Sequence, residues 1–315
     1  MTATCPWCNA PRAAGATCPR CGANYAKAEQ IRTQGRAQVA APAEEAAVAV
    51  AVPEPAIAAT LVGMEDRAVE DPALEFKLCV AAIPAMLAVG LAFHLLTPGL
   101  QRIFFGMPVH ELGHAVTAWF SGHAALPTLW RTFVAEERGW LAPLALAGAL
   151  GTMMVRAHLA GKTYLVALGA ALLIVQGLGT FYIRPTTAHA LFSFGGDGMG
   201  MVIATALMCT FFFGKRTQLY KGWLRWGFLA IGAAAFSDMF ATWWRALSDT
   251  GAIPYGEIEG VGLSDPARLV EEWGWTIKDM VRRYVMVGLA CLAALALVYA
   301  WGVREAWRKT GAREL

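Results

Sequence analysis

The sequence predicts an all-α polytopic membrane protein, and three features of its composition lead to that fold class. Of the 315 residues, 57% are hydrophobic and only 16% are charged, whereas charged residues make up about 25% of a typical soluble globular domain. The apolar residues are concentrated in runs of about 20, the length needed to cross the hydrocarbon core of a bilayer. Aromatic residues flank several runs, as in the aromatic belts of membrane proteins; examples are Trp140, Tyr182 and Trp301.

Seven apolar segments make up the predicted transmembrane domain, residues 73–315. They cover residues 76–97, 103–121, 140–159, 163–183, 197–213, 223–244 and 282–303. The N-terminus lacks the apolar core of a signal peptide, so we expect it in the cytoplasm. Seven crossings would then place the basic C-terminal tail outside, against the usual distribution of Lys and Arg. Six crossings, with one half of residues 140–183 re-entrant, would keep both ends inside. We therefore expect six to seven transmembrane helices in a multi-pass protein of the cell (inner or plasma) membrane.

A cysteine-rich module precedes the membrane domain. Residues 1–26 contain two Cys-x-x-Cys pairs, which consist of Cys5, Cys8, Cys18 and Cys21. Four thiolates at this spacing are typical of a tetrahedral zinc site without an open position. This predicts a zinc ribbon that holds a structural Zn²⁺ and binds a protein partner. Disulfide pairing is the alternative, and a reducing cytoplasm disfavours it. Residues 27–72, rich in Ala, Pro and Glu, are predicted to be a flexible linker.

The sequence His110-Glu111-Leu-Gly-His114 lies within an apolar segment. On a helix, residues i and i+4 share one face, so both imidazoles can bind one Zn²⁺ while Glu111 accepts a proton from water. Ionisable side chains inside an apolar span are costly unless they are paired or bound to a metal. We therefore predict a catalytic zinc with His110 and His114 as ligands and Glu111 as the general base.

Two histidines leave one protein ligand to be found. The candidates are Asp197, His94, His123, His158, His189, Asp238, Glu136 and Glu137. We favour Asp197, which lies at the start of an apolar span among Gly195, Gly196, Gly198 and Gly200. Glycines permit a broken helix and a close approach of the backbone to a site at membrane depth. A Gly-rich loop in which Asp197 caps the next helix is the alternative.

HELGHA in an apolar segment, followed at a distance by Asp197-Gly198, resembles the site-2 protease family of intramembrane zinc metalloproteases. The resemblance covers about residues 100–213. It is closest to a divergent bacterial branch in which the motif precedes a Gly-x-x-Gly helix, as at Gly148–Gly151. The resemblance implies that the two histidines and Asp197 bind the catalytic zinc and that Glu111 is the base. It also implies that membrane proteins are the substrates and are cut within their spans.

The chain departs from that family in one respect. The family's Asn-Pro element is absent, because Asn occurs only at positions 9 and 24. A reaction oxyanion would therefore need backbone N–H groups near Gly195–Gly196, or His189.

Two other functions stay open. One is a catalytically silent zinc-binding membrane scaffold, which needs the two histidines but has no need of Glu111. The other is a prenyl-protein-type membrane metalloprotease, whose downstream Glu-x-x-x-Asp-like motif we do not find in the sequence. The net charge of +3 is too small to indicate nucleic-acid binding, so the expected partners are the lipid bilayer and a membrane-protein substrate.

The polar stretch of residues 245–279 interrupts the membrane domain before its last apolar segment. Ser264, with Pro266 two residues later, has the form of a helix N-terminus, with a capping hydroxyl and a proline in the first turn. We predict a short helix at this point.

Overall fold

A computed structural model describes residues 4–5, 10–27, 29, 71–213, 224–258 and 262–311. The chain divides into two compact units, Met1–Ala56 and Ile57–Leu315. The boundary between the units falls inside the predicted linker, residues 27–72. The described part of the larger unit is mostly helical, which agrees with the predicted fold class.

The larger unit contains nine helices within its described residues, with the following bounds. They are α1 (Pro72–Leu96), α2 (Pro98–Gln101), α3 (Met107–Phe120), α4 (Leu141–Leu159), α5 (Thr163–Phe181), α6 (Pro185–Cys209), α7 (Leu224–Arg245), α8 (Asp265–Glu271) and α9 (Ile277–Gly311). A π-helical turn, Arg102–Gly106, joins α2 to α3, and 3-10 turns cover Thr210–Phe212 and Thr250–Ala252. Two antiparallel hairpins pair β1 (His123–Pro127) with β2 (Thr132–Arg138), and β3 (Glu257–Ile258) with β4 (Gly262–Leu263).

Four helices of the described residues are long and apolar enough to cross a membrane. They are Pro72–Leu96, Thr163–Phe181, Pro185–Phe212 and Ile277–Thr310. This finding agrees with a membrane protein, and the total of six to seven crossings stays a prediction.

The predicted apolar segments each contain a helix, and one of these helices begins earlier than expected. Residues 140–183 form two helices of 19 residues each, α4 and α5, which meet at a turn where Gly161 has a φ of 67°. Each helix is about 28 Å long, so the two halves are equal in length, and the expectation that one half is re-entrant stays a prediction. The segment predicted at 197–213 is the second half of α6, which begins at Pro185.

Helix α6 lies at the centre of the larger unit, in contact with α3, α7, α8 and α9. Its Met201 and Met208 are fully buried against side chains of α7, among them Leu229, Met239 and Trp243. Helix α1 packs on α7 and α9 at the other side of this cluster. In a bilayer such packing stabilises mainly through van der Waals contact, because lipid tails are as apolar as the side chains.

The glycines around Asp197 do not break α6, and this corrects the sequence-based expectation. Helix α6 runs without interruption through residues 195–200, so the backbone of Gly195 and Gly196 is part of a regular helix and forms no open loop. The glycines instead allow α3 to approach closely. A Cβ atom on Gly113 of α3 would collide with the carbonyl oxygen of Gly195 and would lie 2.6 Å from that of Gly196.

The β1–β2 hairpin directly after α3 was not predicted. Gly122, with a φ of 84°, makes the turn out of α3, and Arg138 at the end of β2 donates to the backbone oxygens of Ser121 and Ile183. These bonds hold the hairpin against the C-terminal end of α3 and the start of α6. The strands are short and only partly buried, which gives them a weak sequence signal.

The short helix predicted after Ser264 is confirmed. Helix α8 begins at Asp265, has Ser264 as its N-cap residue and carries Pro266 in its first turn. The Ser264 hydroxyl makes no capping hydrogen bond. Ala267 and Leu269 are buried against the membrane domain, so α8 is fixed in place at its packed face.

Candidate metal centre

Helix α3 presents the two histidines of the motif on one face, as the i, i+4 spacing predicts. The Nε2 atoms of His110 and His114 lie 3.0 Å apart. His110, Glu111 and His114 each offer a ligand atom, and these atoms all lie within 4.8 Å of one another. His110 and Glu111 are buried, with 8% and 5% of their surface exposed. The three residues form a group that could hold a metal ion.

Asp265, at the first residue of α8, completes this group. Its Oδ2 atom lies 3.0 Å from His110 Nε2 and 3.1 Å from His114 Nε2. Burial acts to raise the pKa of the Asp265 carboxyl, but the neighbouring His114 and His110 outweigh that effect and hold this pKa well below its usual range. The side chain is therefore a carboxylate at neutral pH, which is the form that binds metals.

The outer nitrogens of both rings are held by hydrogen-bond acceptors. His114 Nδ1 lies 2.6 Å from the carbonyl oxygen of Phe192, and His110 Nδ1 lies 2.8 Å from Asp197 Oδ1. Because these oxygens only accept, both Nδ1 atoms donate, and in the neutral form of each ring Nε2 presents a lone pair. An Arg102 nitrogen also lies 3.3 Å from His110 Nδ1, but the carboxylate contact is shorter, and we assign the hydrogen bond to Asp197.

The three converging atoms therefore need a positive charge among them, which either a protonated imidazole or a bound metal ion supplies. Zinc bonds of 2.0–2.2 Å to nitrogen and oxygen would place the ligand atoms of a tetrahedral site about 3.3 Å apart. The separations of 3.0–3.1 Å among His110 Nε2, His114 Nε2 and Asp265 Oδ2 are close to that value. The donor set of two imidazoles and one carboxylate fits zinc.

Asp197 lies behind the His110 ring, which differs from the ligand position expected from the sequence. Its Oδ1 atom contacts His110 Nδ1, and its Oδ2 atom accepts a 2.8 Å hydrogen bond from Trp243 Nε1. The reason is local: α6 is a continuous helix, and Gly196 lies directly against the His110 imidazole. In this position Asp197 contacts the outer nitrogen of the His110 ring, while Asp265 faces both Nε2 atoms.

Glu111 points toward the β1–β2 hairpin. The Thr132 hydroxyl lies 2.8 Å from Glu111 Oε2 and 2.7 Å from the Glu111 carbonyl oxygen. The Thr132 hydroxyl has a single proton and donates a hydrogen bond to one of these oxygens at a time. The hairpin thus fixes the direction of the carboxylate predicted to be the general base.

The other ligand candidates lie elsewhere. His94 Nδ1 is 3.4 Å from Asp238 Oδ1. His123 Nδ1 lies 3.0 Å from the carbonyl oxygen of Ala135, and the His123 ring packs edge-on against His189. Three further candidates are exposed at the surface: Glu136, Glu137 and His158.

The described cysteines of the N-terminal unit form a second group. Sulfur atoms of Cys5, Cys18 and Cys21 lie within 4.8 Å of one another, and those of Cys5 and Cys21 are 3.9 Å apart. Two thiolates on a tetrahedral zinc would be about 3.8 Å apart, so these residues could hold a metal ion. Cys8, the fourth predicted ligand, lies outside the described residues.

Sequence reasoning missed three residues of the site around His110 and His114. These residues are Asp265, Thr132 and Arg102. Asp265 and Thr132 come from polar segments without a motif, and Arg102 sits at the edge of an apolar run, where a basic residue usually marks the membrane interface. Comparison of the chain with protein-family models, with curated proteins and with solved structures finds no match.

Proposed function

We propose that this protein is an intramembrane zinc metalloprotease that hydrolyses peptide bonds of membrane-protein substrates. His110, His114 and Asp265 would hold the catalytic zinc, and Glu111 would be the general base. The observation that carries the proposal is the convergence of three ligand atoms within 3.1 Å beside a buried glutamate. In this proposal Asp265 takes the ligand role that the sequence assigned to Asp197.

Different residues of the protein would transfer the proton and orient the groups that take part in hydrolysis. A zinc ion held by His110, His114 and Asp265 would supply Lewis acidity, which would make a water more acidic and polarise a peptide carbonyl. Glu111 lies within 4.8 Å of the ligand atoms, so its carboxylate can accept the proton that the attacking water loses and later donate it to the leaving amine. Thr132 directs the carboxylate, and Asp197 and the Phe192 carbonyl hold the two imidazole rings.

The surroundings support a substrate that reaches the site through the bilayer. Helix α3, which carries the motif, packs against α6, one of the helices long and apolar enough to span a membrane. Large apolar side chains are exposed along α4 and α5, for example Leu144, Ile174 and Phe181, and in a multi-pass protein of the cell membrane these would face lipid. The N-terminal unit would hold a second, structural zinc through its four cysteines and would bind a protein partner.

The test is a comparison of Glu111→Gln with His114→Ala in the purified full-length protein. Glu111→Gln should abolish cleavage of a helical transmembrane substrate yet keep the zinc of the membrane domain, because Glu111 moves a proton and does not coordinate. His114→Ala should lose that zinc as well as the activity. Cleavage is followed by mass spectrometry of the products, and zinc by elemental analysis.

Glu305→Gln is the matched control, since Glu305 lies at the surface in an i, i+4 ion pair with Lys309 and should leave cleavage unchanged. An active Glu111→Gln enzyme would contradict the proposed role of Glu111. A wild-type protein that binds zinc but cleaves no transmembrane substrate would favour the silent scaffold.

A further inference from the structure

Arg102 is a charged side chain that the proposed chemistry leaves without a role. Its Nη1 atom donates to Asp197 Oδ1 at 3.0 Å and to Asp238 Oδ2 at 3.2 Å. Its Nη2 atom lies 3.3 Å from His110 Nδ1. The guanidinium thus contacts the carboxylate that orients His110 and joins it to a second buried acid, Asp238, which is only 3% exposed.

The backbone is shaped to bring Arg102 to this place. Arg102 is eight residues before His110, which in a regular helix would put the two side chains about 80° apart around the axis. The π-helical turn Arg102–Gly106, closed by the Met107 N–H bond to the Arg102 carbonyl oxygen, takes up one extra residue. The extra residue reduces the offset to about 20°, so Arg102 and His110 share a face.

Gly106 provides the space for this arrangement. A Cβ atom at Gly106 would lie 2.5 Å from Asp238 Oδ2 and 3.0 Å from Arg102 Cδ. Gly106 is the last residue of the π-helical turn, and both the turn and the missing side chain serve the contact of Arg102 with the two carboxylates. π-helical turns of this kind are frequently found at functional sites.

We propose that Arg102 is a positioning residue of the metal centre, which fixes Asp197 against His110 Nδ1 and thereby aims His110 Nε2 at the metal. The inference rests on the proposed metal site. Arg102 does not touch the converging ligand atoms and acts through Asp197. Two carboxylates within 3.2 Å of one nitrogen would repel each other in an apolar domain, and the guanidinium between them is the cation that holds both in place.

The guanidinium shape matters as well as the charge. Arg102 offers two nitrogens in a fixed plane, one for the two carboxylates and one beside His110. A lysine ammonium is a single point of charge on a flexible stem and cannot reproduce that fork. We therefore expect Arg102→Lys to be intermediate between wild type and Arg102→Met.

The experiment measures zinc affinity by chelator competition, and kcat and KM for a transmembrane substrate, in full-length Arg102→Met and Arg102→Lys. Arg102→Met should bind zinc in the membrane domain about 10–100-fold more weakly, the usual effect of losing a group that supports a ligand. Its kcat at saturating zinc should fall, because His110 is misdirected, while KM should stay unchanged. The matched control is Arg245→Met, since Arg245 is exposed and pairs with exposed Asp249.

A second variant separates positioning from folding. In Arg102→Met the acids Asp197 and Asp238 lose their shared cation, so adding Asp238→Asn should remove the repulsion. The double variant Arg102→Met/Asp238→Asn should therefore recover part of the zinc affinity and of kcat. If Arg102 only stabilised the fold, its loss would lower the melting temperature of the detergent-solubilised protein. The zinc affinity of the protein that remains folded would then be unchanged.

Wild-type zinc affinity in Arg102→Met would overturn the inference, and so would a double variant that binds zinc no better than Arg102→Met. If Arg102→Met does not fold, the zinc affinity and kcat of Arg102→Lys test the positioning role instead. Failure of the proposed function is distinguishable, because a wild-type protein without peptidase activity still yields a zinc affinity. In that case the affinities of the Arg102 variants alone decide the positioning role.

Discussion

The two ring nitrogens of each histidine have different partners, and this arrangement would direct both Nε2 atoms of His-Glu-x-x-His toward one metal ion. Nδ1 of each ring faces an oxygen acceptor, and Nε2 of each ring faces Asp265. The positions of His110, Glu111 and His114 could be predicted from the sequence, because their spacing within one helix is local. The position of Asp265 could not be predicted, because Asp265 reaches the two histidines only when α8 packs on α6 through Leu269.

Thr132 provides a prediction at the residue scale. Thr132→Val keeps the shape of the side chain but removes the hydroxyl that lies 2.8 Å from Glu111 Oε2. The freed carboxylate should sample other directions, so we expect kcat to fall about tenfold, which corresponds to about 1.4 kcal/mol, with the zinc content unchanged. Steady-state cleavage kinetics measure the effect.

Thr132→Ser is the control because it keeps a hydroxyl at the same position, and it should retain most of the activity. Equal kcat values for Thr132→Val and wild type would show that Glu111 is directed by something other than this hydrogen bond.

The contact between helices α3 and α6 places His110 beside Asp197. Glycines on both helices make that contact possible, since a Cβ at Gly113 would strike the α6 backbone and a Cβ at Gly196 would strike the His110 ring. The sequence indicated that glycines near Asp197 had a purpose, but a glycine cluster is compatible with either a broken helix or a tight helix–helix contact. Only packing against α3 distinguishes the two.

Gly196→Ala is the prediction at the scale of this element. The added methyl would lie 2.7 Å from His110 Nδ1 and would displace the ring from Asp197. We expect at least a tenfold loss of zinc affinity and a lower melting temperature, in line with overpacking costs of about 1–3 kcal/mol. Zinc competition and thermal unfolding in detergent measure these effects.

Gly177→Ala is the matched control, because a Cβ at Gly177 of α5 meets nothing within 4 Å. It should keep full zinc affinity. If Gly196→Ala binds zinc as tightly as Gly177→Ala does, the close approach of α6 to His110 has no part in holding the metal site.

Local pattern explains which elements could be foreseen. Long apolar runs predicted the positions of the main helices, and Ser264 with Pro266 predicted the start of α8. The π-helical turn at Arg102–Gly106 and the β1–β2 hairpin were not foreseen. Both depend on contacts with distant segments: Arg102 with two acids of α6 and α7, and the hairpin with Glu111 and Ile183.

On the scale of the whole molecule, the chain combines a cysteine-bearing unit with a helical unit that has membrane-spanning character. Among the residues that the structure describes, each unit contains a group that could hold a metal ion. The ligand types differ, since thiolates form one group and imidazoles with carboxylates form the other. Zinc in the first would stabilise a unit too small to bury a large core, while the second lies at the contact of α3, α6 and α8.

The zinc content of Asp265→Ala tests the central claim most directly. Full-length wild type should contain about two zinc ions per chain, one in each unit. In a Cys18→Ser/Cys21→Ser background, where only the membrane domain binds tightly, we expect about one zinc per chain, and adding Asp265→Ala should remove it. Adding Asp197→Asn to the same background should leave about one zinc at saturating metal, with weaker affinity. Circular dichroism checks that each variant stays folded. Retention of zinc by Asp265→Ala together with its loss from Asp197→Asn would contradict the assignment and would make Asp197 the ligand.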